Sequence, residues 1–393
     1  MILIKIIIAF LIGSGLDIAV LKLVFSVYVL FEFFIIKKGW KTKINTAIWS
    51  FLIFFVIGST NSIYQMYWGE YEILNTDNFI LRIRFYFIEI IFGICVYLFF
   101  KNRPVKYLFD ILFYSIILNS IVGLIQFCLN PTERLQMLFS EPSAAGFFYC
   151  FIIFITLAKY KETKITYIIS RIYTFLGILI FSKGQLLSLG LVQLFKASIK
   201  LKIVLLFVLI IIISQLLDYV RLIGDKFDQI VNLYVNLSNY GIDGLNEKYK
   251  VWSSFVTRIS AIYLGLLSLF ENPMGLGFGG FNSYYVNWIR YSGVDLASIE
   301  TDQIKEGTKY ATPRSHLLEL FISCGIISIF LYIKIFFKFY KIRKQHAYLY
   351  ISFISLNTVA FMLELNPFFC YLGILLVLYD KELEKEVLNT SKT

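Results

Sequence analysis

Apolar runs alternate with short polar connectors along nearly the whole chain, and the one long exception is a polar stretch between residues 218 and 315. A helix that crosses a bilayer needs about 20 predominantly apolar residues. Runs near or somewhat below that length occupy residues 2–13, 17–36, 44–58, 79–100, 107–128, 143–158, 165–181, 185–195, 203–217, 317–337, 347–363 and 367–380. The pattern predicts an all-α integral membrane protein, a polytopic bundle of about 12 transmembrane helices forming a single domain over 1–393. The first run has a basic and apolar profile like that of a signal peptide, and it reads as a short first helix that is kept.

The polar stretch 218–315 is a large extracytoplasmic loop in this reading. Its flanks, 218–254 and 286–312, are polar, whereas the segment between them repeats Ile259, Ile262, Leu266 and Leu269 at helical spacing. This spacing predicts an amphipathic helix over about 252–270, lying against the membrane surface or the mouth of the bundle.

Composition agrees with the pattern: at 58% hydrophobic and 16% charged residues, the chain cannot cover a soluble globule with polar surface. The net charge of +11 carries topology and does not indicate a nucleic-acid partner, because the basic residues sit in alternate connectors. One set of connectors holds Lys37, Lys38, Lys41 and Lys43, then Lys101, Arg103 and Lys106, and later Lys338, Lys341, Arg343 and Lys344. By the positive-inside rule that set is cytoplasmic, as are both termini. The five cysteines lie in or beside apolar runs without CxxC spacing, which argues against disulfides and structural zinc. Asp17, Lys22, Glu32 and Glu89 are ionisable residues inside apolar runs.

The cytoplasmic connectors are too short for a nucleotide-binding domain, and no P-loop, dinucleotide fingerprint or DxD pair occurs. An enzyme of this design needs a substrate that is already activated and reachable from outside. A lipid-linked sugar diphosphate meets that demand, and its chemistry needs cations on the leaving diphosphate and a base for the attacking hydroxyl.

The outward-facing cations near membrane boundaries are Arg134, Lys183, Arg258 and Arg314, with Arg82 and Arg84 at less certain depth. Each has a plain alternative: Lys183 as a snorkelling hairpin cap, Arg258 as a solvated or headgroup contact, Arg314 as a surface anchor. His316 opens the helix from 317 and is either a base, an orienting group or a structural histidine. Glu141, before Pro142, is either a general base or a carboxylate complementing a helix start. The loop ENPMGLGFGGF, with Gly275 and Gly277, either lets backbone amides approach a phosphate or is a turn re-entering the bundle.

Four features together resemble the O-antigen polymerase and O-antigen ligase superfamily across most of the chain. They are the EPS at Glu141–Ser143, the FSKGQLLSLG hairpin around Lys183, Arg258 one amphipathic helix before the Pro273-x-Gly275-x-Gly277 loop, and the His316 region before Cys324-Gly325. The resemblance implies a glycosyltransferase of the bacterial cytoplasmic membrane, acting without metal or other cofactor on undecaprenyl-diphosphate-linked oligosaccharides. It also implies membrane lipids, a flippase and a chain-length regulator as partners. Arg258, His316 and Glu141 would be catalytic; Arg314, Arg134, Lys183, Gly275 and Gly277 would bind substrate.

The chain departs from the family pattern at two points. Lys183 stands where the family often has Arg, and Gly325 lies nine residues after His316 where eleven are usual, so Arg314 and His316 can exchange roles. The expected product is a polymer of O-antigen, capsule or exopolysaccharide repeat units. The alternatives are a ligase that moves the finished glycan to lipid A core or protein and, from another class, a lipid flippase or other transporter.

Overall fold

The computed structural model describes residues 2–15, 18–36, 44–73, 76–130, 135–139, 142–156, 164–180, 235–236, 238–239, 253–291, 303–304, 306–307, 309–362 and 367–390. Among these residues the chain is helical and contains no strand. The helices are α1 (Ile2–Gly13), α2 (Ala19–Phe31, continued by a π-helical turn Glu32–Ile36), α3 (Thr46–Trp68), α4 (Thr76–Lys101), α5 (Val105–Leu129), α6 (Pro142–Thr156) and α7 (Lys164–Ile180). They are followed by α8 (Ser253–Glu271), α9 (Gly280–Tyr291), α10 (His316–Cys324), α11 (Ile326–Lys341), α12 (Ala347–Met362) and α13 (Phe368–Thr390). The expected runs 185–195 and 203–217 lie outside the described residues.

Four described helices are long and apolar enough to cross a membrane: Ala19–Ile36, Thr46–Trp68, Phe79–Lys101 and Val105–Leu129. Residues such as Val20, Val24, Val27 and Phe31 on α2 stay exposed, as expected of side chains whose solvent is lipid.

The chain forms two compact units, one made of Met1–Phe55, Arg84–Val192 and Phe330–Thr393, the other of Val56–Ile83 and Gln193–Ile329. In the first unit, α1 packs on α5, α5 on α7, and α12 on both α6 and α13. Side chains of α5 donate to carbonyls of α1. Ser115 donates to Ala9 O at 2.6 Å, and Asn119 donates to Gly13 O at 2.9 Å. Gly93 and Gly373 let α4 and α13 approach closely, since a Cβ on either would sit 2.6 Å from a backbone oxygen of the other helix.

Two ion pairs match charges within this unit. Lys22 donates to Glu89 with both side chains almost completely buried, and Arg103 donates to both Glu32 oxygens at 2.8 and 2.7 Å. Desolvating an ion is expensive unless an opposite charge and hydrogen bonds replace the lost water. Asp17 lies outside the described residues.

In the second unit the sequence expectation of an amphipathic helix at about 252–270 corresponds to α8, Ser253–Glu271. It packs against α9 and α10, burying Ala261 and Leu264 among Leu276, Phe281, Tyr285, Leu318 and Ile322.

Removing one partner of the Lys22–Glu89 pair leaves a buried charge alone. Lys22→Ala or Glu89→Ala is expected to destabilise the protein by about 3–5 kcal/mol, and the double change Lys22→Met with Glu89→Leu by much less. Thermal unfolding of the purified variants checks the difference; equal effects of single and double variants would refute it.

Candidate functional site

The second unit is organised around an interruption. Residues 317–337 read as one apolar run, but the helix stops at Cys324 and restarts at Ile326, because Gly325 adopts φ +70° and ψ −169°. In a continuous helix the amide of Ile326 would bond Ile322 O. Here it donates to Pro273 O at 2.8 Å, while Ile322 O accepts from Leu276 N at 2.9 Å and Ser323 O from Gly277 N at 3.0 Å. The glycine loop and the helix break therefore complete each other's backbone hydrogen bonds.

The loop has no room for side chains at its contact points. A Cβ on Gly325 would lie 2.4 Å from Pro273 O, and one on Gly277, whose φ is +79°, would lie 2.2 Å from Ser62 N. The second half of α3 closes the other side. Asn61 donates to Met274 O at 2.7 Å, Ser62 donates to Phe278 O at 3.2 Å, and the Phe278 ring lies where a Cβ on Gly58 would be. The Gly275 amide donates to Asn272 O at 2.9 Å. The Gly275 and Gly277 amides are thus both used inside the protein, at points where the backbone packs closely.

A strap from Lys309 to Ser315 runs over the loop into α10. Tyr310 donates to Gly279 O at 2.5 Å, and Asn282 Oδ1 accepts from the Ala311 amide at 2.7 Å. The strap ends on Arg314, a half-buried residue in the left-handed region with φ +54°. Non-glycine residues rarely adopt this conformation, and held strain of this kind clusters at functional positions. Arg314 and its neighbour Thr312 border a small cavity with Ala261 of α8, Tyr285 and Ile304. Arg258 lies on the same helix as Ala261, about one turn earlier.

Ser315 caps α10: its side chain accepts from Leu318 N at 3.1 Å, and the acidic Glu319 sits in the first turn. His316 and Glu319, three apart on a helix, share one face and are both about 1% exposed. Arg82 of α4 grips Glu319 with two hydrogen bonds, one from Nε at 2.7 Å and one from Nη2. Burial, reinforced by the Arg82 charge, pushes the His316 imidazole down to about 3. His316 is thus neutral at physiological pH and is better suited to orienting a hydroxyl than to acting as a base.

The expected site residues Glu141, Arg134 and Lys183 lie outside the described residues, and Arg258 is described as a helix position only. Arg314, His316, Gly275 and Gly277 lie in the same unit, joined by the strap and the loop. Arg82 and Glu319 are the additions. The signal for Glu319 was a lone carboxylate inside HLLELF, where an apolar helix does not hold a charge without a partner.

No protein-family model matches the chain, and no curated protein matches it in sequence. The arrangement of residues therefore carries the functional reading.

Two outcomes test the geometry. Gly325→Ala is expected to cost at least the roughly 1–3 kcal/mol of a forced left-handed residue, with the clash against Pro273 O added. An unchanged unfolding temperature would contradict the interlocked break. For His316, an unfolded chain takes up a proton below about pH 6.5, whereas the folded imidazole does so only near pH 3. Stability should then fall with acidification across that window, by up to about 1.4 kcal/mol per pH unit from this group. His316→Gln should flatten the unfolding temperature against pH.

Proposed function

We propose that this membrane protein is a polysaccharide-repeat polymerase, a glycosyltransferase of the bacterial cytoplasmic membrane that works at the outer face on undecaprenyl-diphosphate-linked sugars. In this reading about twelve helices span the bilayer, both termini are cytoplasmic, and the 218–315 segment faces outward. The observation that carries it is the strained Arg314, held beside the Arg258-bearing helix and next to a buried His316. An arginine on the strap and another on the neighbouring helix suit a diphosphate whose lipid tail stays in the membrane.

The growing chain on its lipid diphosphate is the donor. A sugar hydroxyl of the next lipid-linked repeat attacks the anomeric carbon, forming the new glycosidic bond as the bond from that carbon to the phosphate oxygen breaks. Arg258 and Arg314, with Arg134 or Lys183, stabilise the departing diphosphate. Glu141 accepts the hydroxyl proton, and neutral His316 orients the hydroxyl. Burial keeps His316 unprotonated, and Arg82, positioned by Glu319, adds its charge to that effect.

In cells, Arg258→Ala and Arg314→Ala should each reduce polymerisation by about 10²–10³-fold, the loss typical of one donor to a developing charge. The readout is loss of long chains from surface polysaccharide at normal protein abundance, with single repeats still attached to their acceptor. A normal ladder would overturn the reading. A complete absence of glycan on the acceptor would identify a ligase with the same site chemistry.

A further inference from the structure

The first unit holds a second polar centre, with no part in the proposed transfer. Where α3 begins and α4 ends, residues of α3, α4, α11 and α13 enclose a cavity of about 1080 Å³, as large as a small-molecule site. Asp380 of α13 is its hub. Its carboxylate accepts from Asn45 Nδ2 at 2.6 Å, from the Tyr97 hydroxyl at 2.6 Å and from Lys101 Nζ at 3.0 Å. Asn45 Oδ1 in turn accepts from Lys338 Nζ at 2.7 Å, and Lys101 also reaches Glu384 at 2.8 Å.

The charges of this centre do not balance. Its wall carries Lys101, Lys338 and Lys381 against Asp380 and Glu384, because Arg103, also in the wall, is already paired with Glu32, and three donors already share Asp380. The Lys338 ammonium is hydrogen-bonded to a neutral amide, and Lys381 has only a loose ion pair at 3.7 Å with Glu384, which Lys101 also engages at 2.8 Å. A surplus of positive charge in a partly enclosed cavity calls for an anion.

The position narrows the kind of anion. The cavity opens at Lys101, where the apolar span of α4 ends, and its walls include Ile44, Pro104 and Leu383 beside the cations. Such a boundary between hydrocarbon and water is the level of a lipid phosphate, and basic pockets between membrane helices take anionic headgroups. We propose that this cavity binds a phosphate group, with Lys338 and Lys381 as its principal cations and an anionic phospholipid headgroup as its source.

The full-length protein, purified in detergent and exchanged into nanodiscs, tests this with two probes. Phosphatidylglycerol should be retained and should raise the unfolding temperature relative to phosphatidylcholine. Lys338→Gln should weaken retention about tenfold, the loss expected for one hydrogen bond to a charged group, while Lys338→Arg keeps most of it. Lys381→Gln, at the cavity edge and outside the Asp380 network, should weaken retention without lowering stability in phosphatidylcholine. Stabilisation of the delipidated protein by inorganic phosphate, lost in Lys338→Gln, would support the phosphate site and assign it a free anion instead of a lipid. Equal behaviour in the two lipids without any effect of phosphate would overturn the proposal. So would wild-type lipid retention in both Gln variants.

Discussion

The second unit depends on an exchange of backbone hydrogen bonds. Gly325 breaks a helix that hydropathy alone would continue, and the freed groups are taken up by the glycine loop: Ile326 N by Pro273 O, Ile322 O by Leu276 N, Ser323 O by Gly277 N. In a water-poor environment a helix cannot end without such partners, because unmade backbone hydrogen bonds each cost several kcal/mol. The break and the loop are therefore one structural element. The rest is arranged on it: α3 approaches through Gly58, Asn61 and Ser62, the Lys309–Ser315 strap crosses it through Tyr310, and α10 starts from the strap's end with His316.

The first unit solves a different problem by different means. Its helices lie in an environment that tolerates neither bare charges nor bare carbonyls, and polar side chains are spent on internal matching. Lys22 meets Glu89, Arg103 meets Glu32, and Ser115 and Asn119 serve the carbonyls of α1. These contacts join residues far apart in sequence and favour one packing of apolar helices that could otherwise slide against each other.

Much of the helical pattern was legible because burial in lipid leaves a simple mark, a long apolar run. α2, α4 and α5 follow their runs within a few residues. α3 runs ten residues beyond its apolar segment, to Trp68, since Asn61, Ser62 and Gln65 are polar on behalf of the loop and Tyr71. The division at Gly325 was hidden for the opposite reason: both flanks are apolar, and a glycine in such a run looks the same whether it is helical or not. The Arg82–Glu319 pair spans 237 positions, so no local pattern could announce it. His316 stood out as a rare residue at a helix start, but its neutral state follows from burial and Arg82, which only the fold supplies.

The interlocked break is made almost wholly of main-chain atoms and glycines. Apart from Asn61, Ser62, Tyr310 and Asn282, the surrounding side chains are consequently not needed to hold that junction together. Presentation and scaffolding are thereby separated within a single unit. A chain built this way can change the side chains around the clasp while the same backbone continues to present Arg314 and His316.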